Sequence, residues 1–123
     1  MELIPYNPLP FHTHDVLILP TNTGIQLINV NAIIRIQSIS NYSKLFFSNG
    51  KTLVVAKVLK WFGENLSVNQ FIRVHRTHLV NTKFIHQYNR EGGGKLKLVN
   101  GDYIDVSRRK KTFVLQRLYS FTA

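Results

Sequence analysis

The chain has no cysteine and only six acidic residues among 123. Without thiols there is no disulfide framework and no thiolate zinc site, and a reducing compartment suits the sequence. Long apolar runs are also missing. No segment approaches the ~20 residues that a membrane-spanning helix requires. The opening Met1-Glu-Leu-Ile-Pro-Tyr-Asn-Pro8 lacks the basic and apolar regions of a secretory signal. There is no repeat of fixed period and no low-complexity tract. A soluble, cytoplasmic, single-domain protein is expected, long enough to bury its own core.

Cations, by contrast, are abundant. Lys and Arg number 16, for a formal charge of +10. Residues 1 to 50 carry Arg35 and Lys44 against Glu2 and Asp15, so their net is zero. The rest of the chain carries 14 cations against 4 anions and holds the whole excess. A concentrated positive field favours polyanions, because Lys and Arg displace the counterions condensed on phosphates. A basic surface kept for solubility has the same composition, so charge alone does not decide.

Pro5, Pro8 and Pro10 mark residues 1–14 as a linker or N-terminal arm. Residues 15–118 are expected to form the domain and 119–123 a tail. β-branched and aromatic runs predict strands at 16–19, 25–28, 32–38, 44–47 and 52–55. A helix is predicted over 56–66, with Val58, Leu59, Phe62 and Leu66 on its apolar face. Strands follow at 71–74, 84–88, 95–99 and 103–106, then a closing helix with Val114, Leu115 and Leu118 as its stripe. Asn49-Gly50, Gly92-Gly-Gly94 and Asn100-Gly101 supply the hairpin turns.

Two segments carry the chemistry: Phe71-Ile-Arg-Val-His-Arg-Thr-His-Leu-Val-Asn81 and Tyr103-Ile-Asp-Val-Ser-Arg-Arg-Lys-Lys111. Each places cations and hydrogen-bonding groups where an apolar strand ends, a rigid base for a binding loop. Ser107 is a good N-cap, which puts Arg108, Arg109 and Lys110 in the first helical turn. Cations there oppose the helix dipole by roughly 0.3–1 kcal/mol each, so the turn is poorly designed for stability alone. It suits an anion instead, and Arg can also reach guanine in a major groove. His75 and His78, or His12 and His14, have the spacing of a metal pair. Arg73 and Arg76 would repel a cation beside the first of these, so no metal or other cofactor is expected. The loop Ser40-Asn-Tyr-Ser-Lys44 has ordinary turn composition, though Tyr42 and Lys44 could touch sugar and phosphate.

Together these blocks resemble the LytTR DNA-binding domain of bacterial transcription regulators. The first resembles the family's F-x-R-x-H-R-S-x-L-V-N segment and Ile104-Asp-Val-Ser-Arg-Arg109 resembles its I-P-V-S-R-R. Asn41-Tyr42 resembles the upstream segment. Thr77 stands where Ser is usual and Asp105 where Pro is usual; the second departure sets an acid near the phosphates. The resemblance implies a mainly β fold of about ten strands in small antiparallel sheets, with two or three short helices. It implies loops inserted into the major grooves of double-stranded DNA, with two copies on direct repeats. Carried over by position, Ser43 or Lys44, Arg76 and Arg109 would reach bases. Asn41, Tyr42, His75, Thr77, Arg108 and Lys110 would support them. Many family members carry an N-terminal receiver or sensor domain, so the chain would be a free-standing regulator or the output part of a response regulator in a two-component system.

Catalysis has little support. Gly92-Gly-Gly94 lacks the Lys-Ser/Thr and helix of a phosphate loop. Strand alternation sets Asp102 and Asp105, the only closely spaced acids, on opposite faces. Two other readings are a small β-barrel stacking single-stranded bases on Tyr42, Phe46, Phe47 and Trp61, and a basic module docking an acidic protein.

Overall fold

Side chains alternate across a strand, and here the alternation sorts the apolar residues into two cores on either side of one sheet. The computed structural model describes residues 15–121. In chain order the elements are β1 (Val16–Thr21), β2 (Gly24–Asn29), β3 (Ile33–Ile39), β4 (Tyr42–Phe47), β5 (Thr52–Val55), α1 (Leu59–Asn65), β6 (Phe71–His75), β7 (His78–Asn81), β8 (Ile85–Asn89), β9 (Lys95–Leu98), β10 (Tyr103–Asp105) and α2 (Lys111–Tyr119). The mainly β fold of ten strands in small antiparallel sheets is therefore present. β5-β4-β3-β7-β6 form the central sheet, β1-β2 a hairpin and β10-β9-β8 a three-stranded sheet.

One face of the central sheet packs Ile36, Leu45, Phe47, Phe71 and Leu79 against the β1-β2 hairpin and the Leu59, Phe62 and Leu66 side of α1. The other packs Ile34, Ile72, Val74 and Val80 against Leu96, Leu98, Ile104 and Val106 of the three-stranded sheet and Val114 of α2. Burial on both faces explains why β3 begins as a continuous apolar run rather than an alternating one. Arg35 is the exception within it. Its Nε donates to Asp102 Oδ2 at 3.0 Å and its Nη1 to Gln37 Oε1 at 2.9 Å, while the guanidinium lies 3.6 Å from the centre of the Phe46 ring. The cation is thus paired, hydrogen-bonded and stacked, which is what burial of a charge requires.

Three expectations need correction. The strand β7 lies outside the expected set: His78-Leu-Val-Asn81 is too short to show a period of its own, and it forms because both edges find partners, in β3 and β6. Helix α1 starts at Leu59, not Ala56. Val58 is extended at the N-cap (φ −77°, ψ 161°) and exposed, because the Lys57 carbonyl accepts the Ser43 hydroxyl at 2.7 Å and fixes the chain before the helix. The closing helix opens as a 3-10 turn over Arg108–Lys110. Ser107 stands at its N-cap position but makes no side-chain capping bond. The arm expected at 1–14, with His12 and His14, lies outside the described residues, as do the last two of the expected tail. Helix α2 runs on through Tyr119. Among the described residues no helix is long and apolar enough to cross a membrane.

Candidate nucleic-acid interface

Strand pairing gathers three loops at one end of the central sheet. The β3-β4 turn is Ser40-Asn41 and the β6-β7 turn is Arg76-Thr77. β3 pairs with β7 through Gln37 and His78, and the Ser38 amide donates to the Thr77 carbonyl at 2.9 Å, so the two tips lie side by side. The third loop is joined by the Ser107 amide, which donates to the Val74 carbonyl at 2.9 Å. Arg73, His75 and Arg76 then face Ser107, Arg109 and Lys110 across an open cleft of ≈ 490 Å³. Residues more than thirty positions apart in sequence line one concave basic surface.

Alternation decides what the first loop presents. Tyr42, Lys44 and Phe46 share one face of β4 and Ser43, Leu45 and Phe47 the other. Asn41 and Tyr42 are exposed. Ser43 is fully buried with its hydroxyl committed to Lys57, so of the expected pair Ser43 cannot reach a base and Lys44 is the one left. The inward Leu45 and Phe47 were the sequence signal that Ser43 points the same way.

The second loop is a small hydrogen-bonded unit. Thr77 N–H donates to His75 Nδ1 at 3.2 Å, and the Thr77 hydroxyl lies 2.8 Å from His75 Nδ1 and 2.9 Å from His78 Nδ1. The Thr77 amide and hydroxyl together fix the His75 ring against the loop. Burial, with the nearby Arg35 and His75, lowers the pKa of His78 from 6.5 to about 4, against the opposing pull of Asp105. His75 and Thr77 therefore shape the loop, with the Nδ1 atoms of His75 and His78 both turned to the Thr77 hydroxyl. Thr77 retains the hydroxyl that Ser would have supplied. Arg73, which is outside the expected site residues, donates from Nε to the His75 carbonyl at 3.0 Å and from Nη2 to the Arg76 carbonyl at 2.6 Å.

Three cations away from the tips are ion-paired, whereas the arginines at the tips are not. Asp105 is exposed and ion-paired with Lys95, whose hydrogen bond holds the carboxyl below its usual range. The acid near the closing turn is thus screened by a cation the sequence did not single out. Asp102 is pushed up by burial, but hydrogen bonds from Arg35 and Asn100 outweigh this and leave it lowered. The two acids serve separate cations and do not form a carboxylate pair. Arg76, Arg108 and Arg109 are exposed, and their guanidiniums make no ion pair or hydrogen bond among the described residues. Lys110 is half-buried, its Nζ 5.5 Å from the centre of the Phe113 ring.

The aromatic residues do not make a stacking platform. Phe47 is in the core, Phe46 is covered by Arg35, and Trp61 packs edge-on against Phe62 with centroids 5.0 Å apart. Of the four, only Tyr42 is exposed.

The family model of the LytTr DNA-binding domain matches residues 23–118. Among solved structures, the chain is similar to a LytTr DNA-binding domain assigned to a methyl-accepting/DNA response regulator from Bacillus cereus. The TM-score is 0.72 at 21% identity, covering 85% of this chain and 96% of that one. At that identity the likeness establishes the fold. No curated protein matches the chain.

Proposed function

The chain belongs to the LytTr DNA-binding domain family, and from that premise we propose that it regulates transcription by reading duplex DNA with the three loops gathered at one end of its central sheet. The observation that carries this is the set of unpartnered guanidiniums of Arg76, Arg108 and Arg109 on two of those loops, with Lys44 on the third. Free, exposed arginines above a rigid sheet are groups whose hydrogen-bonding capacity is unspent, and the Arg fork matches both phosphate and guanine O6/N7.

In this reading Arg76, Arg109 and Lys44 enter the major groove. Asn41, Tyr42, Arg108 and Lys110 hold the sugar-phosphate backbone, and His75 and Thr77 fix the shape of the middle loop. Two copies occupy direct repeats, and the domain is a free-standing regulator or the output of a longer response regulator in the cytoplasm. No step of this function needs a cofactor or a catalytic group.

The test is a comparison of a duplex selected from random sequence with a random duplex of equal length. Arg76→Ala and Arg109→Ala are expected to cost roughly 1–3 kcal/mol on the selected duplex and to relax preference at individual base positions, while Lys110→Ala weakens both duplexes alike. Equal losses by all three variants on both duplexes would overturn the base-reading assignment.

A further inference from the structure

We propose that Arg73 is the positioning residue of the middle loop: it sets the shape of the Arg76-Thr77 tip by holding two backbone carbonyls and does not itself read DNA. The inference rests on the loop-reading function above and deepens it.

The favoured two-residue hairpin turns need positive φ, because only then does the turn follow the twist of its strands. Among the described non-glycine residues only Ser40, at φ 55°, has one. The Arg76-Thr77 tip therefore lacks the positive φ of the favoured hairpin turns. Its pairing register also slips between Arg73 and His75. Such a tip needs support from outside itself, and four successive carbonyls receive it. Val74 accepts from the Ser107 amide and Thr77 from the Ser38 amide. His75 and Arg76 both accept from Arg73.

One guanidinium thus supplies two of the four contacts, from different nitrogens in a fixed plane. A lysine at this position keeps the charge but has a compact ammonium on a flexible stem in place of the planar fork that spans the two carbonyls. Burial also lowers the Arg73 pKa from its ordinary value, consistent with a side chain turned into the protein, while Arg76 beside it is exposed. The two arginines of this segment divide the work: Arg73 faces the backbone of its own loop and Arg76 faces outward.

Arg73→Lys in the full chain separates positioning from charge. Its affinity for a random duplex is expected to stay within about twofold of the parent, since the positive charge beside the cleft is conserved. Its affinity for the selected duplex is expected to fall about tenfold, the scale of one misplaced base contact. In the free protein the Thr77 amide, bonded to His75 Nδ1, should exchange with solvent about tenfold faster, while Ile36 in β3 is unchanged. Arg73→Gln should accelerate Thr77 in the same way and also lose random-duplex affinity. Unchanged Thr77 exchange in both variants, or equal loss of Arg73→Lys on both duplexes, would overturn the proposal. If the parent chain prefers no duplex while Thr77 exchange still accelerates, the DNA-reading function fails and the positioning of the loop stands.

Discussion

At the scale of single residues, His78 shows how the β6-β7 loop is tied to the fold. The imidazole bonds Thr77 on one side and sits near Arg35 and His75 on the other. A depressed pKa means that the unfolded chain takes up a proton near pH 6.5 while the folded imidazole stays neutral down to about pH 4. Over that window the unfolded state binds more protons, so stability is complete above pH 6.5 and declines as the pH falls to 4. The melting temperature of the parent should drop across this range, and His78→Asn should drop less. Parallel curves for the two proteins would mean that His78 is not the titrating group. Asn81 makes the complementary point about motif residues. It is fully buried, donates to the Ile33 carbonyl at 2.8 Å and accepts from the Lys83 amide, so it belongs to the scaffold.

Among the elements, the closing helix is the clearest case of structure shaped against its own stability. Its first turn carries Arg108, Arg109 and Lys110 and no acid. The 3-10 geometry there is closed by the Lys110 amide on the Ser107 carbonyl at 3.0 Å. Exchanging Arg108 and Lys110 together for Glu replaces two opposed charges by two favourable ones, worth roughly 0.3–1 kcal/mol each. The loss of the Lys110-Phe113 contact offsets part of this, about 0.5–1 kcal/mol at an exposed site. The double variant should melt within a few degrees of the parent or slightly above it, yet bind duplex DNA hardly at all. Loss of several kcal/mol of stability would show that these cations hold the fold together.

For the whole molecule, the distribution of charge is the determining feature. Arg35, Lys95 and Lys60 are ion-paired with Asp102, Asp105 and Glu64, whereas the loop tips keep their positive charge. Binding to duplex DNA should therefore be strongly salt-dependent. If about six phosphates are neutralised, log K against log salt should have a slope of about −5. A flat response, or tighter binding to single strands, would count against the three-loop surface, which has cations in plenty but only Tyr42 of its candidate stacking aromatics exposed.

The sequence by itself determined the class of the fold, most of the strands and the identity of the basic loops. Those features are local: alternation marks Leu45 and Phe47 as inward, Asn49-Gly50 turns a hairpin with Gly50 at φ 87°, and Ser107 marks where the closing turn begins. Only the tertiary structure decided which groups in those loops are free. Ser43 is lost to Lys57, fourteen residues away, and Asp105 is ion-paired with Lys95, ten residues back. The short strand β7 exists because β3 and β6 flank it. Arg73 is sequentially close to its carbonyls, but its role appears only once the β6-β7 tip has a definite backbone conformation. A hydrogen bond or ion pair depends on where two groups meet in space, and periodicity along a chain records which face a residue occupies, not which partner waits there.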